Sequence, residues 1–109
     1  MKAMGKVPGF YQRFIDQYPD VGGSYKALGA ACKEAGPLDD KTAELVKLGI
    51  SIGAGLSGAT HSHTRKALEA GASDEEIVHA VLMATTTIGF PSMMRGLAWV
   101  RDVLDGDRA

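Results

Sequence analysis

Three histidines and a single cysteine are the side chains of this 109-residue sequence with the broadest chemistry. One cysteine excludes an internal disulfide framework, a CxxC redox pair and a cysteine zinc site. Cys32 stands in the small-residue patch Ala30-Ala31-Cys32, with no histidine or arginine beside it in sequence, and reads as a buried structural thiol rather than a reactive thiolate. His61 and His63 are two residues apart in a helical segment, about 200° around the axis, so they cannot face one site together. His63 shares a stripe with Leu56, Ala59 and Ala67 and points towards packed surface; His61 shares the other stripe with Ser57, Arg65 and Leu68. A histidine taken alone is more often a packed or solvated residue than a ligand or a catalyst, so position by itself gives neither of them a role.

The second candidate is Gly53-Ala54-Gly55-Leu56-Ser57-Gly58, a literal GxGxxG before a predicted helix. Val46, Leu48, Ile50 and Ile52 ahead of it alternate with Lys47, Gly49 and Ser51, which is strand periodicity. A dinucleotide site needs a second parallel strand after the helix and an acid at its end. Here the helix exits into Gly71 and the capping box Ser73-Asp74-Glu75-Glu76, so another helix starts where the strand should be. The glycine run is therefore expected to be a close-packed joint between helices.

The elements that must position these residues all read as helices. They are expected over Pro8 to Tyr18, Ser24 to Ala35, Lys41 to about Ile52 (capped by Asp39 or Asp40), about Leu56 to Ala70, Asp74 to about Thr87, and Pro91 to Leu104, with a frayed tail from Gly106. In the last of them Met93, Leu97, Val100 and Leu104 recur at heptad-like spacing. In the fifth, Ile77, Val78, Ala80, Val81, Leu82, Met83 and Ala84 cover nearly the whole circumference, and a helix apolar all round must be covered on all sides. Five short neighbours could hardly do so within one subunit, which predicts burial against another chain. The fold class is all-α, with about six short helices in one domain, residues 1–109.

Composition narrows the partners. With 45% hydrophobic residues and a net charge of −1, nothing points to nucleic acid. The longest uncharged stretch, Leu48 to Thr60, is short of the ~20 apolar residues a spanning helix needs. Met1 to Lys6 is followed by Val7-Pro8-Gly9 rather than by the apolar run of a signal peptide. A cytoplasmic protein that binds neither nucleic acid nor membrane is the expectation.

The stretch from Leu38 to Pro91 resembles the carboxymuconolactone decarboxylase and alkylhydroperoxidase D family. The residues that carry the likeness are Leu38-Asp39-Asp40-Lys41-Thr42-Ala43-Glu44-Leu45, His63-Thr64-Arg65-Lys66-Ala67-Leu68-Glu69-Ala70-Gly71-Ala72-Ser73, then Glu75-Glu76-Ile77 and Gly89-Phe90-Pro91. The family's peroxidase branch has a glutamate, a CxxC twelve residues on, and a histidine four after the second cysteine. Counted from Glu44, those cysteines fall at Leu56 and Ala59 and the histidine at His63. Dithiol peroxide reduction needs an attacking thiolate and a resolving thiol, so peroxidase activity is disfavoured here. His79 also stands where the family often has another glutamate.

The resemblance instead implies decarboxylase-type chemistry without cofactor or metal, on a small organic acid or lactone, in a homo-oligomer built on trimers (trimer or hexamer). Glu44 and His63 are the candidate catalytic pair. Leu56, Ala59, His79 and Arg65 are candidate substrate-binding residues, with Arg95 and Lys47 as further cations for a carboxylate. Glu44 lies one turn from Leu48 on a largely apolar segment, where an unpaired carboxylate is costly to bury. It is therefore expected to meet His63, directly or through a water, in a partly buried pocket. Two alternatives remain open: a relative that binds a small ligand without turnover, and a metal site assembled from Glu44, His63 and His79.

Overall fold

The computed structural model describes residues 9–106, and every element among them is a helix. Pro8 as a helix start, the signal-peptide reading of the first residues and the tail beyond Gly106 lie outside the described residues. The helices are α1 (Gly9–Gln17), α2 (Pro19–Glu34), α3 (Asp40–Gly53), α4 (Ser57–Glu69), α5 (Asp74–Leu82), α6 (Thr85–Ile88) and α7 (Phe90–Gly106). The chain forms two compact units, one holding α1 and α2 and ending at Leu38, the other holding α3 to α7 from Asp39 onward. No described helix is long and apolar enough to cross a membrane.

In the first unit, Phe10, Tyr11, Phe14, Ile15 and Tyr18 occupy one arc of α1, and Gln12, Arg13, Asp16 and Gln17 the other. α2 starts at Pro19, five residues before the expected Ser24. Proline has no N–H to lose in a first turn and its φ is already helical, so Pro19 both ends α1 and opens α2. Gly22 is the only buried residue of the two helices: a Cβ there would stand 2.6 Å from Ile15 Cδ1. Cys32 is exposed, which corrects the buried-thiol reading. The Ala30-Ala31-Cys32 patch lies on a helix that has no core of its own to bury it.

The second unit holds the core. Leu48 and Ile52 of α3, Ala67 of α4, Ala72 of the following turn, Ile77 and Val81 of α5, and Met93, Val100 and Leu104 of α7 pack as one buried cluster. The alternation that resembled a strand resolves as a helix: Leu48 and Ile52, four apart, point inward, and Val46 and Ile50 point out. Gly96 takes the α7 seam position beside half-buried Leu97, and a Cβ on it would stand 2.6 Å from Ile52 Cγ2. That contact is what sets how closely α3 and α7 approach.

Capping fixes where these helices begin. The Asp39 side chain accepts from Thr42 N–H at 2.8 Å and opens α3. Ser73 and Glu76 form the reciprocal capping box at the start of α5. Gly71, with φ +96°, turns the chain out of α4 in a conformation that favours glycine. The expected single helix from Asp74 to Thr87 is instead broken after Leu82, and α6 follows. The break falls at Met83 and Ala84, past the last buried α5 side chain, Val81, and the three threonines that follow are helical again. In α5, Ile77 and Val81 are wholly buried, whereas Leu82 and the following Met83 are exposed in the single chain.

Candidate functional site

α3 and α4 are joined by three residues, Ala54 to Leu56, so α4 doubles back along α3. Gly55, at φ +73°, makes the reversal. Leu56 follows as the α4 N-cap, without a side-chain hydrogen bond. The GxGxxG run is thus a helix–helix joint.

Three buried hydroxyls lie along the α3–α4 pair, and each donates to a carbonyl four residues back in its own helix: Ser51 to Lys47, Thr60 to Leu56, and Thr64 to Thr60, at 2.7–2.8 Å. Bonded in this way, the hydroxyls ask for no water and the seam between the helices can stay dry.

Glu44 and His63 meet beside this seam. Glu44, eleven residues before Gly55, touches His63, eight residues after it, with His63 Nδ1 and Glu44 Oε1 2.8 Å apart. Glu44 is on the inward stripe of α3, four residues before Leu48, and its side chain is 11% exposed; that of His63 is 19% exposed. A carboxylate oxygen only accepts, so with Glu44 ionised the shared proton sits on His63 Nδ1. Nε2 of the neutral ring then carries the free lone pair and can take or return a proton. The carboxylate fixes the tautomer and ring orientation and stabilises the imidazolium when Nε2 is protonated.

The other expected site residues are placed less tightly. Ala59, half-buried, lies within about 40° of His63 around α4, and Leu56, more than half exposed, precedes the same stripe. Arg65 is half-buried but about 200° from His63 on that helix, so its face is not the dyad's. His79 is exposed on α5 in an open groove with Val78, Leu82, Arg101 and three carboxylates, whose lining includes neither Glu44 nor His63. Lys47, one turn after Glu44, is half-buried. Among the described residues no group of three His, Cys, Asp or Glu side chains could hold a metal ion, so Glu44, His63 and His79 do not converge as a ligand set.

Two further contacts escape a reading of the sequence. His61, on the other side of α4 from His63, meets Asp102 of α7 at 2.9 Å. Those residues are 41 apart, and nothing local signals the pair. Arg95 lies over the Trp99 ring, 5.2 Å from its centroid, and its Nη2 would stand 3.1 Å from a Cβ on Gly55. The i,i+4 Arg–Trp spacing was readable; the approach to the joint was not.

The model of the carboxymuconolactone decarboxylase family matches residues 19–102. No curated protein and no solved structure matches the chain.

Proposed function

This chain belongs to the carboxymuconolactone decarboxylase family, and we propose that its Glu44–His63 pair carries out acid–base chemistry on a small carboxylated lactone or related organic acid. The observation that supports this reading is the 2.8 Å contact of two ionisable side chains beside a buried helix–helix seam. In decarboxylation the bond from carbon to carboxylate breaks and CO2 leaves. The electron pair delocalises into the lactone, and a proton replaces the lost group. His63 Nε2–H delivers that proton while Nδ1–H stays bonded to Glu44, and a proton from water restores the ring. Leu56 and Ala59, on the His63 side of α4, offer an apolar surface to the ring of such a substrate. The same two positions lack the thiols that dithiol peroxide reduction requires, which disfavours that activity.

The test is CO2 release from carboxylated lactones by the purified protein and by the folded variants Glu44→Gln and His63→Asn. Loss of the proton donor is expected to slow turnover by about 10²–10⁴-fold. Variants that turn over at the wild-type rate would leave the pair as packing. A second reading, ligand binding without turnover, is favoured by the groove on α5 and α7, whose lining contains neither member of the pair. Calorimetric binding of the lactone with no CO2 released would select it.

A further inference from the structure

α4 carries His63, yet it is keyed into its unit by small side chains. Its buried residues are Thr60, Thr64 and Ala67, whereas α3 buries Leu48 and Ile52, α5 Ile77 and Val81, and α7 Val100 and Leu104. Large side chains interlock as ridges in grooves and so fix the rotation of a helix about its axis; threonine and alanine do this weakly. The two threonine hydroxyls add nothing across the seam, since each donates to the carbonyl four residues back. Among the described side chains, the hydrogen bonds that leave α4 for another helix come from its two histidines. His63 Nδ1 meets Glu44 of α3 at 2.8 Å, and His61 Nε2 meets Asp102 of α7 at 2.9 Å. Two residues apart on a helix is about 200° around it, so α4 is pinned on opposite faces to its two main neighbours.

We propose that His61 and Asp102 are positioning residues for the Glu44–His63 pair. Their contact holds α4 at the rotation and height that put His63 Nδ1 on Glu44 and leave Nε2 free to exchange a proton. The direction of the bond follows from its partners: the Asp102 carboxylate only accepts, so His61 donates through Nε2. The lever is long enough. A histidine ring lies about 6 Å from the helix axis, so a turn of α4 by about 20° carries it about 2 Å sideways. That displacement takes a 2.8 Å hydrogen bond out of range. Because the pins stand on opposite sides of the axis, rotation cannot break one without straining the other. The His61–Asp102 pair is not a strong source of stability, since its side chains are 32% and 62% exposed. An exposed pair shifts an equilibrium by up to about fivefold. That is enough to set the orientation of a helix whose buried side chains are all small.

The test reads His63 itself, by two-bond proton–nitrogen NMR spectra of the neutral imidazole rings, which separate the Nδ1–H form from the Nε2–H form. The wild type is expected in the Nδ1–H form, with the proton on Glu44. Asp102→Ala is expected to raise the fraction of the Nε2–H form about two- to fivefold. Alanine suits the interior of α7, so this variant is expected to fold. Asp102→Asn keeps an oxygen to accept from His61 Nε2–H and is expected to restore the wild-type spectrum. Asp105→Ala is the control: its carboxylate is as exposed as that of Asp102, but it pairs with Arg101 of its own helix, and His63 should not respond. A His63 spectrum in Asp102→Ala like that of the wild type overturns the proposal, as does a wild type without the Nδ1–H form. An equal response to Asp105→Ala also overturns it, because surface charge rather than position would then be the cause. A kinetic consequence rests on the proposed acid–base reading: in lactone turnover, Asp102→Ala should lower kcat about two- to fivefold and leave KM unchanged. A raised KM with unchanged kcat overturns the positioning role. A wild type that turns over no lactone would defeat the acid–base reading alone, and the His63 spectra would still decide the positioning role.

Discussion

The α1–α2 unit and the α3–α7 unit are both wholly helical, but their helices are stabilised differently. In the larger unit α3, α4, α5 and α7 each contribute side chains that disappear from solvent: Leu48, Ile52, Ala67, Ile77, Val81, Met93, Val100 and Leu104. In the smaller one a single glycine does. Amphipathicity is at least as clear in α1 as in α3, so an apolar stripe tells that a helix needs a cover without telling what provides it. Where the stripe meets other elements of its own unit it becomes a core, and the side chains beside it, Glu44 and His63 among them, are held to one geometry. Where it meets nothing in its unit, as with Phe10, Phe14 and Tyr25, its side chains stay exposed in the single chain.

The largest effect that would break this contrast is a core truncation. Leu48→Ala, at a wholly buried position, is expected to cost about 2–5 kcal/mol in urea unfolding, independent of protein concentration. Next is the site. Glu44→Ala leaves His63 with an unpaired, mostly buried Nδ1, which costs about 1–3 kcal/mol, and Glu44→Gln, which keeps an acceptor, costs less. Equal losses for both variants would mean that the carboxylate does not orient the ring. Smaller still is Leu28→Ala, the same truncation as at Leu48 but on the exposed α2 stripe. Its loss should stay under about 1 kcal/mol, because the side chain is 61% exposed and has little packing to lose.

Much of the fold was legible because its punctuation is local. Asp39, the Ser73–Glu76 box and Gly71 act within one turn of chain, and each stands where its residue type predicts. The start of α2 at Pro19 was not legible, because proline reads equally as a stop and as a first helical residue. The break after Leu82 was hidden by an apolar run that continues through Met83 and Ala84. Cys32 was misread because small neighbours suggest close packing, and only tertiary structure says whether anything is there to pack. At the site, the contact of Glu44 with His63 could be anticipated from family spacing joined to the apolar stripe of each helix. The separation of Arg65 from His63 was legible, since two residues on one helix stand about 200° apart, whereas that of His79 depends on how α5 rotates against α3 and α4, which no local pattern encodes.

The smallest effect expected is a pH dependence that belongs to the capped unit alone. The Asp39 carboxyl is held below its ordinary value chiefly by the hydrogen bond from Thr42 N–H, and that of Glu76 by the bond from Ser73 N–H and then by Lys41, 3.1 Å away. A carboxyl lowered on folding contributes stability that is present above its unfolded value and is lost as pH falls through the folded one. Both contributions therefore act in the same window, from about pH 4.5 downward, and above it they are constant. Both groups are exposed to solvent, so the change is modest and added salt weakens the Lys41 part. Asp39→Asn retains a side-chain oxygen for the cap and Glu76→Gln retains one for the box, but neither can titrate. The double variant should be slightly less stable than the wild type in urea unfolding at neutral pH, by the charge-dependent part of the two cap bonds and the Lys41 pair, and should lose less stability on acidification. α2, by contrast, has Tyr18 as its N-cap and no side-chain cap bond. The neutral-to-acid change of a folded Leu48→Ala variant should keep the wild-type slope, since that truncation touches packing and no proton. A wild type and double variant with the same acid slope would mean that other carboxylates govern acid unfolding.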